Sequence, residues 1–129
     1  MHCLDTNVII EYLRGNKKVA EKIKKLAEAE EIFTTTISLC ELYKGLCLSP
    51  KANTELFVLD NFAQSVNVLD LNLQICRKFG ERHAFLSRSG KMISEFDLMI
   101  AVIADANNMV LVTMDKKHFA NAGARIEVW

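Results

Sequence analysis

Short apolar runs alternate with helical patterns along the whole chain, and this alternation constrains the fold more than any other feature. The runs occupy residues 1–4, 32–36, 66–69, 110–113 and 126–129, and their length and β-branched content favour buried strands. Strands that alternate with helices form a mainly parallel sheet that is covered on both faces. We therefore predict an α/β fold with three layers, α/β/α, and about five short strands in the central sheet.

The segments between the strands carry apolar residues at helical spacing. The predicted helices cover residues 8–14, 17–30, 38–48, 52–63, 71–89 and 94–106. Gly15, Pro50 and Gly90 follow three of these segments and are typical stop signals. The last of the predicted helices is apolar almost all round, which indicates burial on most sides, and the asparagines at 107 and 108 are a plausible stop for it.

Two of the predicted helices begin with a capping-box pattern, in which a serine is followed three residues later by an acid. Ser38 precedes Glu41 in this way, and Ser94 precedes Asp97. In a capping box the serine side chain accepts a hydrogen bond from the backbone of the acidic residue. The pattern therefore places Glu41 and Asp97 in the first turns of their helices.

Composition indicates a single domain with a sizeable hydrophobic core and no net charge. The chain has 129 residues, of which 50% are hydrophobic, and its 16 basic and 16 acidic residues give a formal net charge of zero. We therefore predict one domain over residues 1–129. A neutral chain does not attract nucleic acid through a general positive field, but an enzyme that meets nucleic acid locally, through a metal and a few basic residues, is compatible with it.

The cysteines and the first apolar run bear on the cellular compartment. Cys3, Cys40, Cys47 and Cys76 form no CxxC pair and no zinc-ligand spacing, so we interpret them as reduced core cysteines. Polar residues interrupt the first apolar run, which argues against a signal peptide, and no apolar run is long enough to span a bilayer. The expectation is a cytoplasmic protein without a membrane segment.

Four acids are candidates for a shared site. Asp5 and Asp115 directly follow predicted strands, Glu41 opens the helix after the second strand, and Asp97 opens the helix that leads into the strand at 110–113. Ligands of parallel α/β sheets bind at the carboxyl ends of the strands, where these acids are expected. Each acid alone could be only a helix cap. Together they would raise one another's pKa unless a cation neutralised them, and oxygen ligands of this kind suit Mg²⁺ or Mn²⁺.

Polar and basic neighbours flank these acids. Three of them could hydrogen-bond the acids or a water on the metal: Thr6, Asn7 and Thr113. Three others follow Asp115 and could meet a phosphate backbone, although a solvated loop is an equally good interpretation: Lys116, Lys117 and His118. The sequence contains no Walker loop and no GxGxxG motif, so it gives no support to nucleotide binding of those kinds.

The acids and their neighbours together resemble the motifs of a PIN domain. The matching residues are 5–7, 41–42, 97–101, 113–115 and 118–119. Each motif is short, but their order and spacing in a chain of this length resemble those of the VapC toxins of prokaryotic toxin–antitoxin pairs. The resemblance extends over nearly the whole chain.

The resemblance implies a ribonuclease that uses Mg²⁺ or Mn²⁺ as its cofactor. It implies that Asp5 and Asp97 bind the metal first and that Glu41 and Asp115 complete a catalytic acidic site. It also implies a homodimer in the cytoplasm and a VapB-type antitoxin that occludes the site. Asp115 departs from the pattern, because many relatives have asparagine there, and its charge would tighten metal binding.

Three alternatives stay open on the sequence alone. A receiver-type regulatory module also places carboxylates at strand ends and would use a lysine such as Lys116, but it gives no role to Glu41 and Asp97. A PIN-like domain could have lost catalysis and act only by binding a partner. A structure-specific DNA nuclease is a further possibility, although such enzymes usually carry extra segments that hold the substrate.

Some apolar residues exceed what one small core obviously needs. They lie on the short helices near the first and second strands: Tyr12, Leu13, Tyr43, Leu46 and Leu48. We interpret them either as the lining of a groove for a second copy or an antitoxin, or as ordinary core packing.

Overall fold

Five parallel strands form the centre of the protein, described for all 129 residues by a computed structural model. The strands are β1 (His2–Leu4), β2 (Ile32–Thr35), β3 (Asn67–Leu69), β4 (Val110–Thr113) and β5 (Ile126–Val128). Their order is β3-β2-β1-β4-β5, and every neighbouring pair is parallel. The predicted α/β class and sheet type are therefore confirmed, and β1 and β4 lie side by side near the middle.

Seven helices surround the sheet. They are α1 (Thr6–Leu13), α2 (Lys17–Ala29), α3 (Thr36–Cys47), α4 (Ala52–Ser65), α5 (Leu73–Arg88), α6 (Glu95–Ala106) and α7 (Lys116–Phe119). Six of them were predicted, whereas the single turn of α7 was not. Asn108 follows α6 with a φ of 56°, which confirms the predicted asparagine stop, since asparagine tolerates this left-handed conformation. No helix of the structure is long and apolar enough to cross a membrane.

The core has two halves, one on each face of the sheet. Successive side chains of a strand point to opposite faces, so Cys3 and Leu111 join the half built mainly from α5, α6 and α7, while Leu4 and Val112 join the half built from α1 to α4. Six residues of α6 are buried, as its all-round apolar sequence predicts. This burial fixes the helix that carries Asp97.

The predicted start of α3 is wrong by three residues, since the predicted cap is Ser38 and the observed cap is Thr35. The N-cap is Thr35, whose hydroxyl accepts a hydrogen bond from the Ser38 backbone N–H at 3.0 Å. The chain passes from β2 into α3 without a loop, so the last strand residue is also the cap. Ser38 lies inside the helix, and Glu41 is in its second turn rather than its first.

The interpretation of all four cysteines as core residues is also wrong. Only Cys3 is buried, and burial, with a smaller contribution from the charge of Asp5, raises the pKa of its thiol to about 12. Cys40, Cys47 and Cys76 are exposed on α3 and α5. Their apolar neighbours in sequence misled the interpretation, because successive residues of a helix face different directions.

Candidate active site at the carboxyl edge of the sheet

The central strands bring two of the predicted acids to one edge of the sheet. Asp5 follows β1 directly, and Asp115 comes two residues after the end of β4. The register pairs Leu4 with Val112, so these two strand ends lie together. Each acid also caps the helix that follows: Asp5 accepts from the Thr6 N–H and Asp115 accepts from the His118 N–H.

Asp5 lies at the centre of the site and is almost completely buried, with 2% of its surface exposed. Its Oδ1 accepts the backbone N–H of Thr6 at 2.7 Å, and its Oδ2 accepts the hydroxyl of Thr113 at 2.9 Å. Both carboxylate oxygens are therefore oriented by the protein. The Thr113 contact crosses from β4 to β1 and joins residues that are 108 positions apart.

Two threonines extend this arrangement to the neighbouring acids. The hydroxyl of Thr6 donates to Glu41 Oε1 at 2.8 Å, and the hydroxyl of Thr113 accepts the backbone N–H of Asp115 at 3.1 Å. Glu41, Asp5 and Asp115 are thus connected through one chain of hydrogen bonds. Glu41 reaches Thr6 from the second turn of α3, so the error in the predicted helix start does not remove it from the site.

Asp97 joins the group from α6. It is the third residue of that helix, and its backbone N–H donates to the Ser94 hydroxyl at 3.2 Å, as the capping pattern predicts. Its Oδ2 lies 3.5 Å from His118 Nδ1, and the same nitrogen lies 3.4 Å from Asp115 Oδ2. His118 is the one basic side chain within ion-pair distance of any of the four acids.

The site is short of positive charge, and the pKa of Asp5 reflects this. Burial is the main cause that raises its pKa, to about 6, and the charges of Asp97 and Glu41 raise it further. The hydrogen bonds from Thr113 and Thr6 act in the opposite direction and do not compensate. Raised carboxylate pKa values in clusters of acids are typical of functional sites.

The residues of this edge fit a hard divalent cation in their chemistry. All four acids offer carboxylate oxygens, and the buried Asp5 carboxylate has no basic partner of its own. Oxygen donors of this type suit Mg²⁺ and Mn²⁺. However, no three His, Cys, Asp or Glu side chains already stand in an arrangement that could hold a metal ion. The donors are assembled at one edge without forming a closed cage.

The remaining predicted site residues fall into two groups. Thr6 and Thr113 are buried and contact the acids, whereas Asn7 is exposed and makes no hydrogen bond to them. Lys116 and Lys117 are exposed in the first turn of α7. His118, predicted only as a possible RNA contact, faces two of the acids. The three-residue spacing of Asp115 and His118 was the available signal for this contact, since such residues are neighbours on a helix.

An apolar groove opens beside the acids. It has a volume of about 580 Å³ and lies between α1, α3 and α4. Leu13 and Leu46, both predicted as groove residues, line it, and Glu41 forms part of the same wall. Tyr12 instead packs against Phe62 with a ring separation of 5.7 Å. The groove therefore reaches the acidic site through Glu41.

Comparisons with known proteins agree with this geometry. Residues 2–124 match the family model described as the PIN domain. The chain is 32% identical to ribonuclease VapC1 of Haemophilus influenzae over 92% of its own length and 90% of the relative's. It is 28% identical to the tRNA(fMet)-specific endonuclease VapC of Shigella flexneri, over 98% and 96% of the two lengths. Its fold matches VapBC2 of Rickettsia felis, solved with a promoter DNA fragment, with a TM-score of 0.92, 28% identity and coverage of 99% and 98%.

Proposed function

Because the chain belongs to the PIN-domain family, we propose that it is a metal-dependent endoribonuclease that acts as the toxin of a VapBC-type pair. One observation carries the proposal. A buried aspartate with a pKa raised to about 6 lies among three further acids at the carboxyl edge of the sheet. A purely structural cluster would be expected to include compensating bases. This cluster has a single base, the exposed His118 near Asp97 and Asp115, and none near Asp5 or Glu41, and a cluster so short of bases is suited to an external cation.

Asp5, Asp97, Glu41 and Asp115 are the residues that would hold Mg²⁺ or Mn²⁺. When bound, such an ion supplies a Lewis acid that stabilises negative charge on a reacting phosphodiester and makes water a better nucleophile. The ion would also remove the electrostatic cost of ionising Asp5 beside Asp97 and Glu41.

The protein's own contribution is orientation. Thr113 and the Thr6 backbone fix the Asp5 carboxylate, and the Thr6 hydroxyl fixes Glu41. Partners of this kind hold metal-binding carboxylates in one rotamer and tune their basicity. Lys116 and Lys117 follow Asp115 and are exposed, and we propose that they contact the phosphate backbone of the RNA.

An antitoxin is the second part of the proposal. The groove beside the site is apolar along Leu13, Leu46 and Val58, and Glu41 is one of its charged lining residues. A peptide with apolar side chains and one basic residue would fill the groove and pair with Glu41, and it would thereby block access to the acids. The solved VapBC relatives support a VapB-type partner for this chain.

A substitution in the groove tests the antitoxin. Val58→Asp places a charge in the groove and should abolish co-purification with a co-expressed VapB-type partner. Phe57→Asp is the matched control, because Phe57 neighbours Val58 on α4, is 68% exposed and does not line the groove. Equal loss of binding by both variants would contradict this location of the antitoxin.

We also propose that the protein forms a homodimer. Sedimentation that shows only a monomer would contradict this proposal.

The nuclease itself is tested by RNA cleavage with Mg²⁺, with Mn²⁺ and with EDTA. The name of the Shigella flexneri relative makes initiator tRNA the first substrate to try. Asp97→Asn should abolish cleavage. Asp70→Asn is the control, since Asp70 also follows a strand but contacts Thr36 and the Leu71 N–H instead of the four acids.

The outcomes separate the alternatives. Metal-dependent cleavage that is lost only with Asp97→Asn supports the proposal. Cleavage that persists in EDTA contradicts it. Folded protein that cleaves no RNA but binds a VapB-type partner would favour a PIN-like binding module without catalysis. Membership in the PIN family already favours a nuclease over a receiver-type module.

A further inference from the structure

His118 is placed unusually for a residue of a phosphate-binding loop. A single ring nitrogen, Nδ1, faces Asp97 Oδ2 at 3.5 Å and Asp115 Oδ2 at 3.4 Å. Neither contact satisfies hydrogen-bond criteria, and the nitrogen lies at similar distances from both acids. The ring therefore occupies the space between two carboxylates that are proposed metal ligands.

The ring position agrees with a second observation. The four acids lie at one edge, yet no three side chains are arranged to hold a metal ion. Asp5 and Glu41 accept hydrogen bonds from the two threonines, whereas Asp97 and Asp115 both lie close to the imidazole. As long as the ring remains there, Asp97 and Asp115 share it instead of a cation.

We propose that His118 is an internal competitor of the metal, an autoinhibitory contact that must turn away before a divalent cation can bind Asp97 and Asp115. The inference rests on the proposed metal dependence of the site. It assigns His118 a role before substrate arrives, in addition to the RNA contact predicted for it.

The surroundings of His118 allow the ring to leave without unfolding α7. Its side chain is 60% exposed, so no other element covers it from outside. The helix is held by two contacts that do not involve the ring: the Asp115 Oδ1 cap on the His118 backbone N–H, and the buried side chain of Phe119. Rotation about the side-chain bonds of His118 alone would open the space between the acids.

The test is Mn²⁺ binding measured by titration calorimetry, without RNA, at one pH and ionic strength. His118→Ala should bind Mn²⁺ about two- to tenfold more tightly than the wild type, as expected from losing two exposed ion-pair contacts. Lys117→Ala is the matched control, because it removes an exposed cation from the same turn without touching the acids. It should change the dissociation constant by less than about twofold on the same grounds. Circular dichroism checks folding, and His118→Asn replaces the alanine variant if that variant does not fold.

Each result has one meaning. Weaker Mn²⁺ binding by His118→Ala would make the imidazole a ligand and overturn the proposal. Unchanged binding would make the contact incidental and also overturn it. Equally tightened Mn²⁺ binding by Lys117→Ala would assign the effect to the loss of any nearby positive charge, and it would also overturn the proposal. Absence of Mn²⁺ binding by both the wild type and His118→Ala would instead refute the metal dependence in the proposed function, and the inference would fall with it.

Discussion

β1 has carboxylates at both of its ends, and the two clusters are built in opposite ways. At its start, His2 lies between Glu30 and Glu127, with ring nitrogens 2.6 and 3.2 Å from their oxygens, and the terminal ammonium lies 3.9 Å from Glu30. At its end, Asp5 accepts hydrogen bonds from one hydroxyl, that of Thr113, and from one backbone amide, that of Thr6, and it has no basic partner. The first cluster is compensated by bases, whereas in the second the one base, His118, lies near Asp97 and Asp115 and not near the buried Asp5.

The pKa values follow this difference. Desolvation works to raise the pKa of Glu30, but the hydrogen bond and charge of His2, together with the terminal ammonium, lower it overall. Desolvation also acts on Asp5, where the nearest charges are other acids, and the pKa rises to about 6. A cluster of acids therefore indicates a candidate cation site only once its counter-charges have been counted. Of the two clusters, only the one at the end of β1 leaves its most buried acid without a basic partner.

The largest expected contrast is in catalysis. Asp5→Asn should lower RNA cleavage by at least about 10³-fold, because losing a proposed metal ligand would forfeit several kcal/mol of transition-state stabilisation. Glu30→Gln, at the other end of the same strand, should leave cleavage within about twofold, as a change at a surface ion pair should. Initial rates on one RNA under saturating Mg²⁺ measure both. Equal losses in the two variants would show that the clusters are not separate.

The second contrast is the pH dependence of stability in EDTA. The pKa of Asp5 is about 3.8 unfolded and about 6 folded, so its stabilising contribution is complete below pH 3.8 and is lost as the pH rises through 6. The loss amounts to at most about 3 kcal/mol. Asp5→Asn, which keeps an acceptor for the Thr6 N–H, should therefore be more stable than the wild type at pH 7 and lose that advantage towards pH 4. Urea unfolding of both proteins at both pH values measures the difference in their unfolding free energies. Contributions that the other acids make equally to both proteins cancel in this difference. A stability advantage of Asp5→Asn that grows towards pH 4 would contradict the raised pKa of Asp5.

The third contrast concerns the threonines that join the acids. Thr113→Val removes the hydroxyl that donates to Asp5 and accepts the Asp115 N–H, so we expect roughly a 10- to 100-fold loss of cleavage and a cost of about 1–3 kcal/mol in unfolding free energy. Thr34→Val is the control, since Thr34 is buried in β2 and its hydroxyl donates to a backbone carbonyl, that of Leu4, and not to the carboxylate of an acid. It should have a similar cost in stability and no cleavage defect in the folded protein. A cleavage defect of the same size in Thr34→Val would mean that lost stability, not lost orientation, explains the effect.

The class of fold could be predicted from local patterns. Alternation of strand and helix signals indicated a parallel sheet, and the capping pattern at Ser94 placed Asp97 correctly. The strand order could not be predicted, because alternation does not say which strands pair. The register of β1 with β4 arises from packing between distant segments.

The candidate acids were also accessible from the sequence, but their connections were not. Thr6 and Thr113 were identified as neighbours of acids, whereas the hydrogen bond from Thr113 to Asp5 depends on a strand pairing across 108 positions. His2 had no partner that the sequence could name, since Glu30 and Glu127 approach it only in the folded sheet. The start of α3 was missed because Thr35 belongs to a strand and caps a helix at once.

The smallest expected effect is the loss of a compensated pair at the start of β1. Glu30→Gln should lower the free energy of unfolding at pH 7 by less than about 1 kcal/mol, because the pair is partly exposed and His2 keeps Glu127 as a second partner. The sign is opposite to that for Asp5: the lowered pKa of Glu30 makes its contribution present at neutral pH and lost as the pH falls through the folded-state pKa. A double-mutant cycle with His2→Gln, read by urea unfolding, isolates the pairwise energy. A coupling well above 1 kcal/mol would mean that the pair is stronger than an ordinary surface ion pair. A concurrent loss of cleavage would mean that the cluster at the start of β1 supports the acidic edge through the strand between them.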